Sequence, residues 1–371
     1  MCQHMAKNDV LISGYYGFGN AGDEAILASI LDALLKIMPE LKIMVLSVNP
    51  SLTEKEHKIS AVHRYRWEML HSLWESRLFI SGGGGLLQDS TSIKTPLYYL
   101  GMVLLAKLMG KKVMFYAQGI GPLRTFWGRL LTSYIANRVN FITVRDEKSY
   151  NLLRELGVKR PPVEITTDPV FAMEPAVESD VLEVFKKEEI PLDGKWLGIS
   201  VRDWKTNVDY AGIISQVIDN LCDKFSLRVL FIPMHYPNDL EISMGIKDMM
   251  KNPSYMLSGK YPPKVIMGIL GKMDTVFAMR LHTVIMSSVL GVPSIPVAYD
   301  PKIENISGQL GLKFLSLEDI TFENLLKLSS DVCQEREKIS SNLLVRSREL
   351  GDIALGNAFF VRNLLYNRNL H

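Results

Sequence analysis

Arg280-Leu281-His282 sits just past an apolar run, Thr275–Ala278, and opens a stretch of helical spacing that stops at Gly291. A guanidinium fork binds carboxylate or phosphate through two parallel hydrogen bonds, and an imidazole titrates near neutrality. Together at a helix start, where anions are favoured, they suit binding of an anionic substrate and transfer of a proton. Arg202 holds an equivalent place in ISVRDW, after the run Trp196–Val201; its plain alternative is a surface ion pair with Asp203. His235, in IPMHYPND, follows a third run and is a further candidate for the same site. Arg145, in RDEKS, ends a fourth, and Asp146 beside it reads as the cap of the next helix.

Three glycine-rich segments lie earlier in the chain. The first, SGYYGFGNAGDEAI from Ser13 to Ile26, matches G-x-G-x-x-G at Gly17, Gly19 and Gly22. A dinucleotide site would also need an acid at the end of the second strand, about 20 residues on, to hold the ribose. That strand ends Ser47-Val48-Asn49, so no nicotinamide cofactor is expected. A structural turn or a site for another substrate remains, with Asp23 capping a helix that starts near Glu24. The second segment, Ser81–Asp89 (SGGGGLLQD), strings four glycines together. The entropy that such a run loses on folding points to a nest of N–H donors for phosphate or sugar hydroxyls rather than a mere turn. The third, Ala117–Pro122 (AQGIGP), again follows a strand. Three glycine loops at equivalent strand ends predict one wide cleft.

The elements that must position these residues alternate. Strands are expected at Val10–Ser13, Lys42–Val48, Leu78–Ser81, Lys112–Tyr116 and Phe141–Val144, with helices at Glu24–Met38, Pro96–Met109 and Phe126–Arg138. Alternation of this kind indicates a parallel sheet wrapped by helices, whose ligands sit outside the carboxyl ends of the strands. A second set follows: strands Trp196–Val201, Arg228–Pro233, Thr275–Ala278 and Val292–Val297, with helices near Gly212–Lys224, Pro262–Gly271 and His282–Leu290. The expected fold is therefore α/β, with two Rossmann-like domains. One covers 1–175 and the other 190–330, the boundary lying in the proline- and charge-rich stretch near 172–192. Closing helices over 331–371 pack back on the first domain.

Composition narrows the function classes. Lys plus Arg is 42 and Asp plus Glu 40, a formal charge of +2, so no nucleic-acid partner is expected. Cys2, Cys222 and Cys333 lie far apart, which suits reduced thiols and gives no metal spacing. The run Pro96–Met109 is interrupted by Lys107 and falls short of a membrane span of roughly 20 residues. With no apolar stretch of signal length at the start, the expected place is the cytoplasm. Phe126, Trp127, Leu130, Leu131, Tyr134 and Ile135 form a stripe at helical spacing beside Arg124, Arg129 and Arg138. The plain reading is a core-facing helix; the other is a patch touching a lipid carrier or, peripherally, the inner face of the membrane.

The segments SGYYGFGNAGDEAIL, SGGGGLLQD, YAQGIGP, VRDEKS, TDPVF, ISVRDW and MRLHTVIMSSVLGVPSIPVAYDPK, in this order, resemble the polysaccharide pyruvyl transferase family, most closely its CsaB-type members. The resemblance implies a GT-B-like arrangement with a central cleft. It implies transfer of the pyruvyl group of phosphoenolpyruvate to two hydroxyls of one sugar, forming a cyclic ketal and releasing phosphate. Phosphoenolpyruvate is then a substrate, with no cofactor and no metal. Its binding residues map onto Arg202, Arg280, Leu281 and His282, with His282 and Arg280 catalytic. The implied acceptor is N-acetylmannosamine in a lipid-linked cell-wall polymer precursor. On the acceptor side stand Gly17, Gly19, Asn20, Asp23, Glu24, Gly83, Gly84, Gln88, Asp89 and Gln118, which offer donors and acceptors for sugar hydroxyls. Two alternatives remain: a glycosyltransferase of the same shape using a nucleotide-sugar donor, for which Glu304 is the candidate ribose ligand, and a non-catalytic protein that binds wall polymer.

Overall fold

The computed structural model describes residues 7–89, 94–206 and 208–366. Cys2 and the far end of the expected closing helices, 367–371, lie outside them. The described residues divide into two compact units. Unit 1 holds the chain up to Phe18, Asp23–Ala172 and the part from Leu350 on; unit 2 holds Gly19–Gly22 and Met173–Glu349.

Unit 1 is built on parallel strands β1 (Asn8–Ser13), β2 (Ile43–Ser47), β3 (Ser60–His63), β4 (Ser76–Ser81), β5 (Gly84–Leu87), β6 (Lys112–Ile120), β7 (Phe141–Val144) and β8 (Val163–Ile165). They lie in the order β3-β2-β1-β4-β6-β7-β8, with β5 paired to β6. Helices α1 (Ala21–Ile37), α2 (Pro50–His57), α3 (Glu68–Trp74), α4 (Lys94–Leu108), α5 (Phe126–Ala136) and α6 (Glu147–Glu155) connect them. Central strands are apolar on both faces because helices cover both: Val10, Leu11, Ile12, Leu78 and Ile80 have no exposed surface.

Unit 2 repeats the plan with β9 (Lys195–Ser200), β10 (Leu227–Phe231), β11 (Ser254–Met256), β12 (Thr275–Ala278), β13 (Ser294–Ala298) and β14 (Leu315–Ser316), ordered β11-β10-β9-β12-β13-β14 and all parallel. Its helices are α7 (Glu178–Lys187), α8 (Tyr210–Phe225), α9 (Asn238–Met249), α10 (Pro263–Leu270), α11 (Leu281–Val289), α12 (Pro301–Leu310), α13 (Phe322–Gln334) and the first part of α14 (Arg336–Tyr366). The far part of α14 belongs to unit 1. There Phe360 stacks on Phe141 at 4.6 Å, and Arg77 Nη2 donates to the carbonyl of Leu365 at 2.9 Å. The fold class is the expected one, two Rossmann-like α/β units of the GT-B class. Among the described residues no helix is long and apolar enough to cross a membrane.

Three local expectations are corrected. Helix α1 starts at Ala21, with the Asn20 side chain accepting the N–H of Gly22 at 3.1 Å, so Asn20 rather than Asp23 ends the turn. The four-glycine segment is not an open loop. Gly82 N–H donates to the Ser13 carbonyl at 2.7 Å, and Gly84–Leu87 form β5. A Cβ on Gly82 would lie 2.2 Å from Tyr16 Oη, and one on Gly83 3.0 Å from Ile26, so close packing accounts for glycine there. The stripe on α5 does not all face the core: Leu131 and Ile135 do, but Phe126, Trp127, Leu130 and Tyr134 stand in solvent.

Candidate active site

In unit 2 the strand order reverses between β9 and β12, and the crevice outside the carboxyl ends at such a point is where open α/β sheets bind ligands. Arg202 follows β9 and Arg280 follows β12; their flanking neighbours, β10 and β13, lead to His235 and Tyr299. Four adjacent strands therefore deliver two guanidiniums, an imidazole and a phenol to one end of one sheet, and α11 begins at Leu281-His282.

Each side chain is held. Arg202 Nη1 donates to Tyr299 Oη at 2.6 Å, with its guanidinium 4.5 Å from the Tyr299 ring and 5.2 Å from that of Trp204. Its Nε is buried and has no partner among the described residues. The surface ion pair with Asp203 is not formed: the Asp203 carboxylate accepts from the Tyr210 hydroxyl at 3.3 Å. Arg280 gives its Nε and Nη2 edge to Asp239, a buried carboxylate that also accepts the N–H groups of Met234 and His235. That leaves Nη1 as the nitrogen of Arg280 outside the clamp. Burial, and next to it the charge of Arg280, holds the His235 imidazole below its usual range; Arg202 adds to the same effect. The four groups thus share one electrostatic environment.

The segment Gly19–Gly22 belongs with them. Asn20 forms an antiparallel bridge with His235, Ala21 N–H donates to the Met234 carbonyl at 2.8 Å, and a Cβ on Gly22 would lie 2.2 Å from His282 Nδ1. Glycine at position 22 is what lets the chain pass the imidazole.

The remaining candidates lie in unit 1. Gly17 N–H donates to Glu24 Oε1 at 2.7 Å, and Glu24 Oε2 lies 3.2 Å from His57 Nε2 in a pair almost wholly buried. Glu24 therefore braces the turn from inside rather than facing a ligand. Glu56 brings a third donor atom within 4.8 Å of this pair. Asp89 is likewise engaged, accepting the N–H groups of Arg124 and Thr125 and the Thr125 hydroxyl. Burial pushes its pKa up, but these donors outweigh that and hold it below the usual range. Gln118 is fully buried within β6, which runs on to Ile120 where a loop was expected. Arg145 is buried, 3.2 Å from Asp168, while Asp146 caps α6 as expected. Gly83 and Gly84 are buried; Gln88 is half-buried; Asp23 lies close enough to add to the effect of burial in raising the Tyr15 and Tyr16 hydroxyls.

Sequence reasoning missed Asp239, Tyr299 and Arg64. The first two carry signals in hindsight, an acid four residues beyond His235 and a tyrosine ending the β13 run. Arg64, in HRYRW, has none. It is 2% exposed, donates to the Gly14 carbonyl at 3.0 Å, and is surrounded by the rings of Phe18, Tyr65, Tyr98 and Tyr99 at 4.1–5.5 Å.

Comparison with known proteins agrees on fold and family. HepE of Anabaena, solved with UDP-glucose, superposes with a TM-score of 0.65 at 9% identity, covering 96% of this chain and 98% of that one. MnaA of S. aureus, solved with UDP, gives 0.66 at 10% identity, covering 98% of both. At such identities the likeness shows the fold alone. The amylovoran biosynthesis protein AmsJ of Erwinia amylovora is 20% identical over 364 residues, covering 82% of this chain and 86% of AmsJ. Residues 20–301, which contain Asn20, Gly22, both arginines and both histidines of the unit 2 site, match polysaccharide pyruvyl transferase. That match takes in most of the sequence, and the chain belongs to the polysaccharide pyruvyl transferase family.

Proposed function

We propose that this transferase takes its pyruvyl group from phosphoenolpyruvate, bound at Arg202, Arg280, Leu281 and His282 of unit 2. The observation that carries this reading is the convergence of two arginines and two histidines at the switch point of one sheet. Phosphoenolpyruvate carries a carboxylate and a phosphate, which need charged partners once water is displaced. Arg202, fixed by Tyr299, and Arg280, fixed by Asp239, are preorganised for them. The chemistry needs a proton at carbon 3, which builds positive character at carbon 2. A sugar hydroxyl adds there and gives up its proton; the carbon 2–oxygen bond to phosphate then breaks, and a second hydroxyl closes the ketal as its proton leaves. His282 is the acid, delivering a proton either to carbon 3 or to the departing phosphate.

The acceptor is a sugar of a polysaccharide precursor, N-acetylmannosamine on a lipid carrier at the membrane's inner face. Asn20, bridged to His235, is an acceptor-side residue that lies within unit 2. In unit 1, Asp23 and Gln88 offer polar groups for sugar hydroxyls, whereas Glu24 and Asp89 accept neighbouring N–H groups and Gln118 is buried. The purified protein, given phosphoenolpyruvate and a lipid-linked disaccharide ending in N-acetylmannosamine, should release phosphate in step with a product carrying the mass of a pyruvyl ketal. The absence of both products would end the proposal. The UDP and UDP-glucose bound to solved neighbours favour a second reading, a nucleotide-sugar glycosyltransferase. UDP release from a UDP-sugar in the same assay would select it.

A further inference from the structure

We propose that helix α5 seats the protein on an anionic lipid surface, a partner that extends the lipid-linked acceptor reading but is argued from this helix alone. Four large apolar side chains on α5 stand in water: Phe126 is 70% exposed, Trp127 61%, Leu130 46% and Tyr134 51%. Trp127, Leu130 and Tyr134 are spaced by three and four residues and share a face. Phe126 packs against Trp127 with ring centroids 5.5 Å apart. The other face, with Gly128, Thr132, Ile135 and Ala136, is buried within unit 1. The helix has thus met its folding requirement, and its second apolar face is surplus to it. A lone exposed apolar residue needs no explanation, but a contiguous cluster marks a surface that something covers.

Charge at the border says what. Arg124 is exposed just before the N-cap, Thr125, and Arg138 lies beyond the last turn with its guanidinium 3.4 Å from the Tyr134 ring centroid. Asn137 Oδ1 accepts the N–H groups of Lys159 and Arg160, which brings two more exposed cations to the same helix end. Of the acids nearby, Glu155 is paired with Arg129 and Asp89 is occupied in capping. An aromatic face bordered by cations complements an anionic headgroup layer. Tryptophan and tyrosine settle at the level of the headgroups, and each arginine or lysine adds attraction to the surface charge.

Flotation of the full chain with unilamellar vesicles tests this without any turnover, so its result is separate from that of the phosphoenolpyruvate assay. Binding is expected to vesicles of phosphatidylcholine mixed with phosphatidylglycerol, to be weak on phosphatidylcholine alone, and to fall at high salt. The double variants Phe126→Ser with Trp127→Ser, and Arg124→Glu with Arg138→Glu, should each weaken it by about tenfold or more. Because Phe126 and Trp127 are exposed, the thermal unfolding midpoint of the aromatic variant should stay put. Equal binding by wild type and variants, or no binding to anionic vesicles, overturns the proposal. So does light scattering that finds a dimer which the aromatic variant converts to monomer, since the face would then belong to a second copy.

Discussion

Two arginines carry the same charge here but are held differently, and their substitutions should separate. Arg202 is positioned by a phenol and two rings, contacts that depend on a flat guanidinium. Arg202→Lys keeps the charge and loses the geometry, so under the proposed reaction KM for phosphoenolpyruvate should rise roughly tenfold or more, with Tyr299→Phe shifting it the same way by less. His282→Ala should lower the rate of phosphate release by on the order of 10²–10⁴, which steady-state assay would read directly. His235 offers a check that needs no substrate. Its folded-state pKa is depressed, so its stabilising contribution is full above the ordinary value of about 6.5 and is lost as pH falls towards the folded-state midpoint. An NMR titration of the ring should place that midpoint below 6.5, and Arg280→Ala should raise it by removing a repelling charge. The positions of Arg202 and Arg280 at strand ends, and of His282 at the start of α11, were legible in the sequence because each lies just past an apolar run. The engagement of Glu24 and Asp89 by nearby N–H groups was not legible, because sequence spacing does not show which neighbours a polar side chain meets.

At the scale of elements, the glycine turn after β1 shows how backbone conformation sets side-chain identity. Gly17 has a φ of +83°, and a Cβ there would meet Ser47 Oγ at 2.3 Å and Asn49 N at 2.7 Å. Gly17→Ala adds conformational strain to a clash with main chain, and urea unfolding should show a loss of roughly 1–3 kcal/mol. Strands such as β1, β9 and β12 were readable because their buried stretches, Val10–Ile12, Trp196–Ile199 and Val276–Ala278, form apolar runs. Edge strands were not. In β3, β8 and β14 no residue is fully buried, so Ser60–His63, Val163–Ile165 and Leu315–Ser316 carry no comparable signal. The α5 stripe shows a related limit: periodicity locates an apolar face without saying which medium meets it.

At the scale of the whole molecule, α14 serves both units, since Arg336 pairs with Asp274 in unit 2 while Val361 is fully buried in unit 1. Val361→Ala removes two methyl groups from that packing and should cost about 2 kcal/mol, read as an earlier thermal transition. The pattern of apolar positions foretold helices here but not where one of them changes allegiance, because the switch after Glu349 falls inside an uninterrupted helix. The chain changes unit after Phe18, after Gly22, after Ala172 and again after Glu349. One contiguous block, 173–349, therefore leaves Gly19–Gly22 of unit 2 behind. A hybrid that grafts 173–349 from a relative inherits a foreign His235 and His282 but keeps the native Asn20 bridge and Gly22 spacing, so working chimeras will be those in which that four-residue stitch travels with the graft.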